Sequence, residues 1–179
     1  MKGYWESYRY AVSNPNEKKV VYGILEIIKL HDNCYFECSY DEGEFLYHGY
    51  GFQGMGGLFF VLEENRLING SIFMVTNLPN SYTKPEINGI GVGLTGGVFS
   101  ILSIPAAARV VFRHLESIEL LKNKYAIKNN DISLKELVIT IQKIIDIDIS
   151  VLKSENIIDA IDNHVPQDAV PYALRAKLF

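Results

Sequence analysis

Two stretches of this chain carry the spacing G-x-G-x-x-G: Gly49-Tyr50-Gly51-Phe52-Gln53-Gly54 and Gly91-Val92-Gly93-Leu94-Thr95-Gly96. In a dinucleotide-binding fold that spacing turns the backbone beneath a pyrophosphate and offers its charge to a helix N-terminus. Neither stretch has the flanks this chemistry needs. After Gly54 come Met55-Gly56-Gly57 and the apolar run Leu58 to Leu62, which reads as strand where a helix is required. Around the second stretch, Lys84-Pro85-Glu86 precludes a central parallel strand upstream and Pro105 interrupts any helix downstream, although Glu116 stands about where a ribose-binding acid belongs. Gly49 and Gly51, like Gly89, Gly91 and Gly93, instead alternate with larger residues, so each segment read as strand leaves one face as bare backbone. Such a face either lets a small barrel bend around its own core or makes the floor of a ligand site.

The remaining reactive groups are scattered. His31, His48, His114 and His164 include no pair at i, i+2 or i, i+4, so no metal site is expected, and no G-x-S-x-G, H-E-x-x-H or Walker A sequence names a catalytic residue or a cofactor. Cys34 and Cys38 fall four apart in a predicted strand, roughly 13 Å from each other on one face, too far to bridge. They read as small buried hydrophobes of a reducing, cytoplasmic compartment. The acidic turn Asp41, Glu42 and Glu44 reads as solvated. Aromatics are the stronger lead, with eleven Tyr supplying hydroxyls that a purely apolar core would not need. Trp5, Tyr8, Tyr22 and Tyr47, beside the bare backbone of Gly49 and Gly51 and with Arg109 and Arg113 on one face of the last strand, are the expected binding set for a flat anionic ligand such as a base with a phosphate. The alternative for the Arg pair is an outward, solvated face.

The elements that would position these groups divide the chain in two. Residues 1–115 alternate at period two between turn-rich connections, giving about eight strands: 4–12, 19–30, 34–40, 44–52, 58–63, 71–75, 87–94 and 108–115. Short connections make an antiparallel meander, and a meander of this length closes into a calycin-like barrel to hide its edges. Residues 116–179 switch to helical period. Ser133-Leu134-Lys135-Glu136 is a capping box opening a helix over 134–145, a shorter helix lies within 155–163, and a last one is read over 171–178. These helices either flank the barrel or offer a surface for self-association or a protein partner. With 48% hydrophobic and 21% charged residues the composition is globular, and 17 basic against 21 acidic side chains offer nucleic acid no overall attraction. No run of apolar residues is long enough to span a membrane as a helix.

The opening Gly3-Tyr4-Trp5-Glu6-Ser7-Tyr8, with Tyr47-His48-Gly49, Ile87-Asn88-Gly89-Ile90-Gly91-Val92-Gly93-Leu94 and Ile104-Pro105-Ala106-Ala107-Ala108-Arg109-Val110-Val111, resembles the β-rich C-terminal domain that follows the helix-turn-helix of some bacterial transcriptional regulators. The Gly-aromatic-Trp entry is also similar to lipocalin-type barrels and to the cyclic-dinucleotide receptor barrels of anti-phage signalling. These resemblances imply an effector-sensing role. Because Met1 stands directly before the first strand, direct DNA binding is not expected. Three readings stay open. The first is a non-enzymatic cytoplasmic sensor barrel for a small, nucleotide-derived ligand in a bacterial or phage defence setting. The second is an interaction or scaffold module with a solid barrel, and the third is a hydrolase or isomerase on the same fold.

Overall fold

Eight strands follow one another without a crossover: β1 (Gly3–Tyr10), β2 (Val20–His31), β3 (Tyr35–Asp41), β4 (Leu46–Gly54), β5 (Gly57–Glu64), β6 (Ser71–Asn77), β7 (Glu86–Thr95) and β8 (Ile104–Leu115). Each pairs antiparallel with the next, and β8 returns to β1 through the register Tyr4↔Leu115 to Arg9↔Val110, closing the barrel. This computed structural model describes residues 3–11, 17–31, 35–54, 56–64, 70–77, 86–95, 104–129 and 131–163. The predicted helix over 171–178 and Cys34 lie outside them.

The period of two decides which side chains enter the lumen. Trp5, Leu25, Ile27, Phe36, Cys38, Tyr40, Tyr47, Leu58, Phe60, Leu62, Met74, Val110 and Phe112 form one buried cluster inside the barrel. Their rings meet across it: Phe36 on β3 lies 5.5 Å from Phe60 on β5, Phe60 lies 6.3 Å from Phe112 on β8, and Phe112 lies 6.4 Å from Tyr40, back on β3. At this level the described residues fill the barrel with their own side chains. A bulge between Ile27 and Lys29 breaks the β2–β3 register and turns Ile28 outward.

Among the described residues four helices follow: α1 (Ile118–Lys124), α2 (Leu134–Ile147), α3 (Ser150–Ser154) and α4 (Ile157–Asn163). The capping box forms as its sequence requires, with Ser133 accepting from the Glu136 N–H and Glu136 accepting from the Ser133 N–H. The helices cover the outer faces of β1, β2 and β8. Leu137, Val138, Ile141 and Ile145 of α2, with Ile157 and Ile161 of α4, share one buried cluster with Tyr8, Tyr22, Ile24 and Val111 of the wall. The apolar stripe on the 134–145 and 155–163 segments, the expected alternative surface for a partner, thus faces the barrel. Gln142 adds a polar tie, since its Oε1 accepts from the Tyr22 N–H at 2.7 Å and its Nε2 donates to the Val20 carbonyl at 3.0 Å, at a stretch of β2 lying beyond its pairing with β3. α1 and α3, with seven and five residues, are additional to the predicted helices.

Candidate functional site

Closure of the barrel divides the expected binding set between two faces of one wall. Trp5, Tyr47, Gly49 and Gly51 are on the inward parity, whereas Tyr8, Tyr22, Arg109 and Arg113 are on the outward one. The physical reason is the alternation itself, because Trp5 and Tyr8 are an odd number of residues apart on one strand. Inside, Trp5 is buried edge-on to His114 at 5.0 Å, and Tyr47 stacks on Tyr40 at 6.1 Å. The bare backbone of Gly51 is covered by the Phe36 ring, and a side chain at Gly49 would run into the Val61 carbonyl oxygen. The first glycine motif is therefore the strand β4, which ends at Gly54 paired with Gly57 of β5, with Gly56 at φ +77°.

On the outer face the tyrosines and arginines serve the helices. Glu6, buried in the wall, accepts from Tyr8 Oη at 2.7 Å and Tyr22 Oη at 3.3 Å, and Lys124 of α1 reaches its Oε2 at 3.3 Å. Burial, with Glu6 alongside, pushes both tyrosine hydroxyls well above the ordinary phenol value, so they remain donors. Burial opposes the charge of Lys124, but Glu6 and Glu155 more than offset it and hold its ammonium above the usual lysine value. Glu155 joins Lys124 at 2.8 Å. Arg113 Nη2 donates to the Glu155 carbonyl at 2.9 Å, and Arg109 donates to the carbonyl of Asp162. This network fastens α1 and the α3–α4 segment to the wall.

A second polar group, missed in the sequence, sits inside. Glu42 turns inward from the acidic turn, and its carboxylate accepts from both Nε and Nη2 of Arg9 at 2.8 Å. Tyr40 Oη donates to Glu42 at 2.7 Å and accepts from Ser7 Oγ at 3.0 Å. Burial opposes the charge on Arg9, but the Glu42 carboxylate outweighs it and raises the guanidinium pKa. Cys38 lies in the lumen beside the Gly49 carbonyl, and burial pushes its thiol up to about 12. In a Cys34→Ser background, a thiol reagent such as DTNB at pH 8 is expected to label Cys38 only after denaturation, because both burial and a vanishing thiolate fraction protect it. Rapid labelling of folded protein would contradict that placement.

The wall that the helices leave bare has a different character. Ile28, Leu30, Tyr35, Tyr50, Phe52, Val61, Phe73 and Val75 are all large, apolar and exposed. The register sets them in rows. One runs Tyr50↔Val61↔Phe73↔Val92 across β4 to β7, and the next runs Tyr35↔Phe52↔Phe59↔Val75↔Ile90 across β3 to β7. Two ring pairs stack on the outside, Tyr35 with Tyr50 at 5.1 Å and Phe52 with Phe59 at 5.0 Å. Beside the bulge, Ile28, Glu37, His48, Tyr50, Val61 and Glu63 border an open groove of about 330 Å³.

No family model, curated protein or solved structure matches this chain. The wall must therefore be judged on its own chemistry. Among the described residues no group of three or more His, Cys, Asp or Glu side chains is placed to hold a metal ion, and no helix is long and apolar enough to cross a membrane. What the bare wall can do is bury apolar area. A contiguous patch of aromatic and aliphatic side chains on five strands is the kind of surface that monomeric proteins seldom leave uncovered.

Proposed function

We propose that this chain is a protein-interaction module whose working surface is the outer wall of β3 to β7, with the helices serving to complete and brace the opposite wall. One observation carries this reading: the two register rows from Tyr50 to Val92 and from Tyr35 to Ile90 expose apolar side chains on the side of the barrel opposite the helix-covered strands. Two supporting features point the same way. Aromatic rings occupy the lumen, and the apolar stripe of α2 is buried against the barrel. Aromatic residues at the centre of such a patch act as anchors when a partner excludes water from them.

Affinity purification of the full chain from cells that express it tests the reading. Wild type should enrich a reproducible partner, and Phe52→Asp and Phe73→Ser should each lose it with little change in melting temperature, because both side chains are about half exposed (45% and 53%). Leu120→Asp, on the helix side, should retain it. A partner retained by both wall variants would overturn the proposal.

A second reading, a receptor for a small molecule, is favoured by the groove of about 330 Å³ between Ile28 and Glu63, a volume at the low end of small-ligand sites. It places the ligand on the outside of the wall instead of in the lumen. Thermal-shift screening with cyclic dinucleotides and other nucleotides tests that reading, and unchanged melting at saturating ligand would dismiss it.

A further inference from the structure

We infer that the groove at the edge of the apolar wall receives a lysine or arginine side chain of a protein partner, flanked in that partner by apolar residues; this inference rests on the interaction reading above. The groove is bounded by apolar and aromatic groups on three strands, Ile28 of the β2 bulge, Tyr50 of β4 and Val61 of β5, and by two carboxylates on either side, Glu37 of β3 and Glu63 of β5. The register places Glu37 opposite Tyr50, Tyr50 opposite Val61, and Glu63 opposite His48. With strands about 4.8 Å apart and residues about 3.3 Å apart along them, the two carboxylate-bearing Cα atoms are roughly 12 Å from each other. That separation, with Tyr50 and His48 of β4 between the two strands, suits one guanidinium or ammonium group reached by both carboxylates.

The charges present also favour a cation. Glu37 already accepts His31 at 2.7 Å, which fixes its position, while among the described residues no hydrogen bond or ion pair takes up the Glu63 carboxylate. Lys29, which is exposed and pairs in register with Glu37, tempers the negative potential at one edge but does not border the groove. The exposed Tyr50 ring at the groove supplies a face over which a cation is attracted. The groove is continuous with the apolar rows through Tyr50 and Val61, so apolar neighbours of the bound cation in the partner would lie directly on Phe52 and Phe73. The occupant is therefore a segment with a basic residue between apolar ones, a pairing that joins hydrophobic area to charge-assisted hydrogen bonds.

A phage-displayed library of random dodecapeptides, selected against the immobilised full chain, tests this. The expected result is enrichment of peptides with Lys or Arg between aliphatic or aromatic residues. Their affinity should fall about tenfold on Glu37→Gln/Glu63→Gln, and should fall below detection on Phe52→Asp and on Phe73→Ser, all with near wild-type melting temperatures. Enriched peptides that lack a basic residue, or that bind the Glu37→Gln/Glu63→Gln chain unchanged while losing Phe52→Asp, would overturn the cation and leave the docking wall standing. Enrichment on wild type no greater than on Phe52→Asp and Phe73→Ser would overturn both. Displacement of the selected peptides by millimolar agmatine, but not by an uncharged peptide of the same apolar sequence, would support a cation in the groove, and the reverse pattern would reject it.

Discussion

Arg9→Met is expected to cost about 3–5 kcal/mol of folding stability, read as a drop in the midpoint of a urea or guanidinium melt. The guanidinium meets Glu42 through two donors at 2.8 Å each, and the side chain of Glu42 is only 3% exposed. Without Arg9, the bonded partner that remains to the carboxylate among the described contacts is the Tyr40 hydroxyl. An ionised group in that position has lost its water and most of its compensation, which costs far more than an exposed ion pair contributes. Arg9 keeps 19% of its side-chain exposure, so the lower part of the range is the better expectation. Removing both charges tells a different story. Arg9→Met/Glu42→Leu should recover most of the loss, because apolar side chains of similar size leave no buried charge behind. A single variant within 1 kcal/mol of wild type, or a double variant worse than the single, would show that this pair is not buried as described.

That pair shows where sequence reasoning stopped. Glu42 stands in an acidic turn, Asp41 to Glu44, which looks solvated because nothing local records that Arg9, 33 residues earlier, closes over it. The strands were legible for a simpler reason. Turn residues separate segments of the right length, and all eight predicted strands recur, with ends displaced by up to four residues. The largest displacement is at β8, which begins at Ile104 instead of 108 because Pro105 is accommodated in the ladder opposite Leu94. What alternation could not say is which face is inside. On β1, Trp5 points into the barrel and Tyr8 toward the helices, yet both are buried, so neither hydrophobicity nor aromatic character separates them. The binding set drawn from those residues was divided for that reason. The bare wall did leave a signal. Leu58-Phe59-Phe60-Val61-Leu62 is unbroken where a half-buried strand should alternate, and the structure puts Leu58, Phe60 and Leu62 in the core with Phe59 and Val61 outside. Apolar residues on both faces of a strand that no described helix covers are the pattern that the proposed interaction surface would leave in the sequence.

Within Gly49-Tyr50-Gly51-Phe52-Gln53-Gly54 the three glycines are expected to respond differently to a single methyl group. Gly51→Ala should cost about 1–3 kcal/mol, because the new methyl enters space held by the Phe36 ring, itself packed against Phe60. Gly49→Ala should cost at least as much, since its obstacle is the Val61 carbonyl oxygen, part of a ladder strand that cannot rotate aside. Gly54→Ala should fall within about 0.5 kcal/mol of wild type, as nothing lies within 4 Å of the added carbon. The obstacle also decides which loss is recoverable. Phe36→Leu shortens the side chain that blocks Gly51, so Gly51→Ala should be better tolerated in that background than alone, a coupling that a double-mutant cycle measures directly. The same exchange should do nothing for Gly49→Ala. Denaturant melts of the six variants settle what the bare backbone faces: a neutral Gly51→Ala would mean that Phe36 does not fill the lumen beside it and that a ligand has room there. The expected loss, recovered by trimming Phe36, means that the glycines admit the barrel's own core, which leaves the outer wall, where Tyr50 and Phe52 of the same six residues point, as the surface proposed for recognition.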